Sequence, residues 1–307
     1  MSGNTLETDL LVVGAGPAGA SLSCFLARYA LNGIMISAAP GTADTPRAHI
    51  TNMSALEALR DIGLGDECYR LGKQGEQTKH YRWCETMAGE EYARIYSWGN
   101  DPKRKGDYEL ASPCPGCIDL PQTLLEPLLV NYATLRGFRV RFDTELLSFT
   151  NDSASDVIVS TVRDRLVGNE YRIASRYLFG ADGGRSLVAI RLNLPFKVAA
   201  PGGLAYNVLV RCDLSHLMKH RAGNLHWNMR LERDDPWIIN IRMVKPWFEW
   251  LMVAIPKDPF VTVKEWTAEQ WREALRDLIH DPEAKVEVLG ISKWQINEVY
   301  VSPLPHM

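Results

Sequence analysis

The sequence predicts an α/β protein: a mostly parallel sheet with covering helices, interrupted and then followed by a β-rich region. Three observations predict it. The glycine-rich string Gly14-Ala15-Gly16-Pro17-Ala18-Gly19 joins an apolar strand to a helix. A second string, Gly180-Ala181-Asp182-Gly183-Gly184-Arg185-Ser186, closes another apolar strand. After Pro195 the residues turn to Trp and Val in alternating patterns.

Taken in order, Thr8 to Val13 is β-branched and apolar and ends on glycine, which predicts a short strand. Leu22, Leu26, Tyr29 and Ala30 recur at helical spacing, so a helix is expected from Pro17 to Leu31, ended by Asn32-Gly33. Ile34 to Ile36 reads as a second buried strand, completing a βαβ unit and implying a parallel sheet. A helix from about Ser54 to Ile62 stops at Gly63, and the alternation from Lys79 to Ser97 suits antiparallel strands. Gly99 to Gly116 is dense in Pro, Gly and Asp and reads as a loop. A helix is expected from Pro121, a favoured first-turn residue, to Arg136, closed by Gly137. Val140–Phe142, Glu145–Phe149, Val157–Val162 and Tyr171–Phe179 read as strands. From Pro195 to Pro256 strands such as Trp237–Ile241 alternate with no helical period. Thr267 to His280 reads as one helix, with Trp271, Leu275, Leu278 and Ile279 on a single face.

Bulk properties exclude several classes. The 307 residues are 46% hydrophobic and 23% charged, the balance of a globular protein of one large or two intertwined domains. A net charge of -3 carries no polyanion footprint, so nucleic acid is not an expected partner. No stretch reaches the roughly 18 uncharged apolar residues of a membrane span. Glu7 and Asp9 stand where a signal peptide would be basic. Pro305-His306-Met307 matches no peroxisomal or ER address. Six cysteines are too few for a disulfide scaffold, so the cytoplasm is the expected compartment. Cys114-Pro115-Gly116-Cys117 lacks a second pair for zinc and a helix start for redox chemistry, and reads as loop.

The first glycine string has the spacing of a dinucleotide-binding turn. Gly14 permits the tight turn, Gly16 lets backbone approach a pyrophosphate, and Gly19 lets helix pack on strand. Pro17 and Ala18 open the helix whose N-terminus faces the phosphate charge. The acidic residue that usually ends the second strand is missing: Ile36 is followed by Ser37, which offers one weaker hydrogen bond to a ribose. In the second string, Asp182 and Gly183 can hold a sugar hydroxyl while backbone passes close to a ligand. An ordinary Asp-Gly turn is the plainer reading of the same residues.

Between the two strings lie Pro46-Arg47-Ala48-His49-Ile50-Thr51-Asn52, Tyr96-Ser97-Trp98-Gly99-Asn100-Asp101-Pro102, Tyr108-Glu109-Leu110-Ala111-Ser112-Pro113 and Asp119-Leu120-Pro121-Gln122. With these the chain resembles the group A flavin-dependent aromatic hydroxylases, and among them the phenol and chlorophenol monooxygenases, over residues 6–300. The resemblance implies a Rossmann-type FAD-binding domain at 1–75 and 115–195, with an interleaved β-rich substrate domain at 76–114 and 196–300. It implies FAD as the tight cofactor and NADPH or NADH as transient reductant. A phenolic substrate and oxygen would react by way of a flavin hydroperoxide, and a homodimer is compatible with it. Gly14, Gly16, Pro17, Ala18 and Gly19 would take the pyrophosphate. Arg47 would reach toward the flavin side, Gln122 toward the ribityl-pyrophosphate region, and Asp182 and Gly183 would belong to the Asp-Gly fingerprint. His49 sits where members of the group can carry an acid that assists deprotonation of the phenol. An imidazole with pKa near ~6.5 can accept that proton near neutrality. The plainer readings are an ion pair for Arg47, a polar helix start for Gln122 and a structural His49. No metal site is implied.

Two other readings share the flavin fold. A halogenase would carry Trp-x-Trp-x-Ile-Pro, which Trp247-Phe248-Glu249-Trp250 does not fit; an epoxidase has the same standing. A non-catalytic remnant is the third reading. The group normally continues past Trp294–Tyr300 into a Gly-Asp-Ala-type loop whose Asp binds the ribityl chain, where this chain reads Val301-Ser302-Pro303-Leu304-Pro305-His306-Met307. A chain lacking that loop is expected to hold FAD weakly and turn over little. A disulfide reductase would need a cysteine partner for Cys24 and a second dinucleotide fold, and neither is evident.

Overall fold

In the computed structural model, residues 5–97, 99–114, 116–152, 156–199, 202–232, 234, 236–258, 260 and 263–301 are described. Trp98, Pro115 and residues 302–307 of the strings quoted above lie outside the described residues. The chain divides into two compact units, the first of residues 1–49, 59–68 and 120–195, the second of 50–58, 69–119 and 196–307.

In the first unit a six-stranded sheet runs in the order Arg139–Arg141, Gly33–Ile36, Thr5–Val13, Glu170–Gly180, Val157–Asp164, Thr144–Asp152. The first four pair in parallel and the last two antiparallel. Buried Leu11, Val13, Ile34, Ile36, Leu146, Val162, Ile173 and Val188 form its core. Each such aliphatic side chain contributes roughly 1.5–3 kcal/mol by leaving water. The register sets Val13 beside both Ile36 and Gly180, so both glycine strings leave the sheet at the carboxyl ends of adjacent parallel strands. Ligands of open parallel sheets bind at that edge.

The first helix spans Pro17–Arg28, three residues shorter than the spacing predicts. Its buried face of Ala20, Ser23, Cys24 and Ala27 ends there, while Tyr29 and Leu31 are exposed. Ala30 takes φ +56°, with its N–H on Ala27 O and that of Leu31 on Leu26 O, a Schellman ending with Ala in glycine's usual place. Gly33 begins the next strand instead, because a Cβ there would lie 2.2 Å from the Phe138 ring. The Gln122–Leu135 helix has Pro121 as its N-cap and not inside its first turn, and Gly137 follows it at φ +85°.

In the second unit, a seven-stranded sheet orders Glu287–Gln295, Leu204–Arg211, Glu249–Pro256, Trp237–Lys245, Leu225–Asn228, His80–Cys84 and Glu91–Tyr96. Only the Leu225–Asn228 and His80–Cys84 pair is parallel among these described strands. The helix Ala268–Leu278 buries Trp271, Leu275 and Leu278 against Trp237, Trp250 and Tyr206. Thr267 and Gln270 form its capping box, a device that contributes about 1 kcal/mol.

Two sequence expectations fail here. The stretch expected to be all loop, Gly99–Gly116, contains the helix Lys105–Ala111, which buries no residue. Two exposed ion pairs lie along it, Arg104 with Asp107 and Lys105 with Glu109. The region expected to lack helical period contains Ser215–Arg221, seated by buried Leu214 and Met218.

A buried polar cluster lies in this unit. Arg242 Nη2 stands 3.5 Å from Asp119 Oδ1, and Asn224 Nδ2 donates to Asp119 Oδ2 at 3.0 Å. Burial raises the Asp119 carboxyl above its ordinary range despite the opposing guanidinium. It lowers Arg242 to about 10. Desolvation therefore outweighs attraction on both partners.

Candidate cofactor site

The three glycines of the first turn each meet a different physical demand. Gly14 sits at φ +108°, and a Cβ there would fall 2.2 Å from Ala181 O on the neighbouring strand's loop. A Cβ on Gly19 would lie 1.9 Å from Gly14 O, so the helix packs backbone to backbone on the turn. Around Gly16 the space is open: the nearest atom to its Cβ position is Glu126 Oε1 at 3.9 Å. Gly16 is also the N-cap of the Pro17 helix. The open side is where backbone N–H groups and the helix N-terminus can meet an anion.

A cavity of about 460 Å³ lies on that side, entirely within the first unit. Gly16, Ser37, Arg47 and Gln122 line it together with the loop Ala39–Thr45 and Glu126. Four of the sequence-selected positions, from widely separated stretches, thus share one wall. Backbone pairing explains the meeting of two of them: Ala48 O accepts from Gln122 N at 2.9 Å, and His49 O from Leu120 N at 2.6 Å. The Arg47 segment is therefore laid along the start of the Gln122 helix. Arg47 itself is exposed. Ser37 Oγ accepts from Ala39 N at 3.2 Å, which shapes the loop.

Asp182 and Gly183 are not among the lining residues. The Asp182 carboxylate accepts from Ser186 Oγ at 2.5 Å and from Val188 N at 3.2 Å, capping the short helix Leu187–Arg191. Gly183 takes φ +79° in the turn between them. His49 is half-buried and likewise not a lining residue.

Glu126 escaped the sequence reading. It is 3% exposed; its Oε1 accepts from Gln122 Nε2 and its Oε2 from Ala43 N. The available signal was its spacing: Glu126, Leu129 and Ala133 share the buried face of one helix, where a carboxylate is out of place unless hydrogen-bonded. The cysteines carry no comparable signal. Cys24 is buried, gives its thiol to Leu129 O at 3.1 Å and is pushed up to about 12 by burial. Burial likewise raises Cys117.

The residues present fit a dinucleotide of the FAD type: an open glycine turn at a helix N-terminus, a cation at Arg47 and an amide at Gln122 on one cavity. Among the described residues, no helix is long and apolar enough to cross a membrane.

Known proteins agree with that fit. The chain is 40% identical over 305 residues to the 2,4-dichlorophenol 6-monooxygenase of Cupriavidus pinatubonensis, covering 98% of this chain and 50% of that protein. It is also 40% identical over 305 residues to the phenol 2-monooxygenase of a Pseudomonas species, covering 98% and 47%. The chain thus spans about half the length of the curated relatives it matches. Its fold is similar to that of the flavin-dependent monooxygenase PieE, solved in complex with FAD and substrate, with TM-score 0.89, 34% identity and coverage of 96% and 51%. An aklavinone-11 hydroxylase, solved with FAD and aklavinone, is similar with TM-score 0.84 and 27% identity, over 99% and 56%. The family model described as an FAD binding domain matches residues 7–306. A match that takes in nearly the whole chain, glycine turn and Arg47 segment included, makes this protein a member of the FAD binding domain family.

Proposed function

We propose that this chain forms the FAD-holding part, and with its second unit part of the substrate site, of an NAD(P)H-consuming monooxygenase that hydroxylates a phenol. The observation that carries the proposal is the convergence of Gly16, Arg47 and Gln122 on one cavity in a chain 40% identical to two phenol-type monooxygenases. NADPH or NADH is the proposed transient reductant, the cytoplasm the proposed compartment, and a homodimer the proposed assembly.

FAD, when bound and reduced, supplies the oxygen-activating chemistry. What remains for the chain is to bind, orient and move a proton. Gly16 and the N–H groups opening the Pro17 helix hold the diphosphate. Arg47 offsets its charge, and Gln122 hydrogen-bonds the chain that follows it. Asp182 shapes the second loop through its hydrogen bonds to Ser186 and Val188. His49 accepts the phenol proton, raising electron density in the ring that receives oxygen.

The test is catechol formation from phenol or 2,4-dichlorophenol with added FAD and NADPH, compared between this chain extended to the length of its relatives and the same extended chain carrying His49→Ala. General-base loss typically costs about a hundred-fold, so the variant is expected to lose that much rate with its FAD content unchanged. An unchanged rate and pH profile would make His49 structural, and no product from the extended chain would remove the monooxygenase reading.

A further inference from the structure

We infer that Glu126 is a positioning residue that fixes which way Gln122 faces in the cavity and ties the Ala39–Thr45 loop over it. The inference rests on the FAD reading for its consequence but not for its geometry. Gln122 and Glu126 are one helical turn apart, so their side chains stack on the same side of the helix start. Glu126 Oε1 accepts from Gln122 Nε2, so the Gln122 amide turns its nitrogen toward the Glu126 carboxyl group. That leaves the Gln122 carbonyl oxygen and its second N–H hydrogen for a ligand. The other oxygen, Oε2, holds the Ala43 N–H of the loop that forms another part of the same wall. Both oxygens of one buried carboxyl group thus bind neutral donors, one on the helix and one on the loop.

The arrangement sorts the two halves of a dinucleotide. An acceptor carbonyl favours hydroxyl donors and disfavours phosphate oxygens, which only accept. The open side of Gly16 offers the opposite, N–H donors at a helix N-terminus. A ligand that carries both a diphosphate and a polyol is therefore directed to place the polyol along Gln122 and the diphosphate on the glycine turn. Glu126 also brings a carboxylate into the cavity where the second strand, ending Ile36-Ser37, supplies none.

Isothermal titration of the full chain with FAD and with ADP separates this role from general support. ADP has the diphosphate but no polyol beyond it. Glu126→Gln, nearly isosteric, lets the Gln122 amide turn over. It is expected to weaken FAD about ten-fold, the scale of one good hydrogen bond, and leave ADP unchanged or tighter. Glu126→Gln added to Gln122→Ala is expected to weaken FAD no further than Gln122→Ala alone. Equal weakening of both ligands, or additive effects of the two substitutions, would overturn the inference. Should the wild type take up no FAD, the proposed function fails, and the unliganded chain still decides the role of Glu126 by NMR. A slowly exchanging Gln122 side-chain amide proton and a protected Ala43 N–H, both released in Glu126→Gln, support it. Fast exchange of both in the wild type overturns it.

Discussion

Gly16→Val is expected to abolish FAD binding while leaving the chain folded. Gly16 has φ near -70°, a conformation valine adopts, and the nearest atom to its Cβ position is 3.9 Å away. The added Cβ therefore meets only an ordinary contact with Glu126 Oε1, while the rest of the isopropyl group reaches into the cavity over the N–H groups that would hold a diphosphate. A loss of at least about two orders of magnitude in Kd is expected, about 2.8 kcal/mol. Its neighbours provide the control. Gly14→Val would force a side chain onto a φ of +108° and 2.2 Å from Ala181 O, and Gly19→Val would place one 1.9 Å from Gly14 O. Both should lose the fold together with the cofactor. Flavin fluorescence titration and far-UV circular dichroism on the three variants read the two effects separately. Retention of FAD by Gly16→Val would refute the site.

Arg242→Leu is expected to destabilise the protein by about 3–5 kcal/mol, because it removes the guanidinium that faces the buried Asp119 carboxylate. Replacing both partners, Asp119→Leu with Arg242→Leu, is expected to cost much less, since no charge then remains to be desolvated. The pH dependence has a definite sign. Burial already raises Asp119, and removal of Arg242 raises it further. The folded variant then takes up a proton at a pH where the unfolded chain, with an ordinary carboxylate, does not. Its stability must rise as pH falls through the raised folded pKa. Urea unfolding followed by Trp fluorescence at several pH values checks both points. An Arg242→Leu deficit that is small, or that grows on acidification, would contradict the account of this cluster.

Local chemistry was the most legible part of the sequence. The glycine turn declared itself because strand, turn and helix follow one another directly, and the structure gives Gly14 and Gly19 separate steric reasons to be glycine. The amphipathic Thr267 helix was readable because its apolar face is wide and its cap is in the sequence. Elements without a buried face were not. Lys105–Ala111 buries nothing, so no apolar period marks it. The end of the first helix at Arg28 was missed because Ala30 takes the left-handed position that sequence reasoning assigns to glycine. In the site, Ser37, Arg47 and Gln122 were each selected from motifs, but their meeting on one cavity depends on long-range backbone pairing that spacing does not reveal. Glu126 carried only the weak signal of sharing a helix face with Leu129 and Ala133. A Glu on a helix reads as solvated until the fold shows which face is covered.

The central claim, that the cavity beside Gly16 takes FAD, is tested most directly by equilibrium titration of the purified 307-residue chain with FAD and, separately, with NAD. The account predicts saturable quenching of flavin fluorescence and resolved structure in the visible flavin bands, with no saturation by NAD over the same concentrations. Absence of saturation by FAD, or tighter binding of NAD than of FAD, would contradict it.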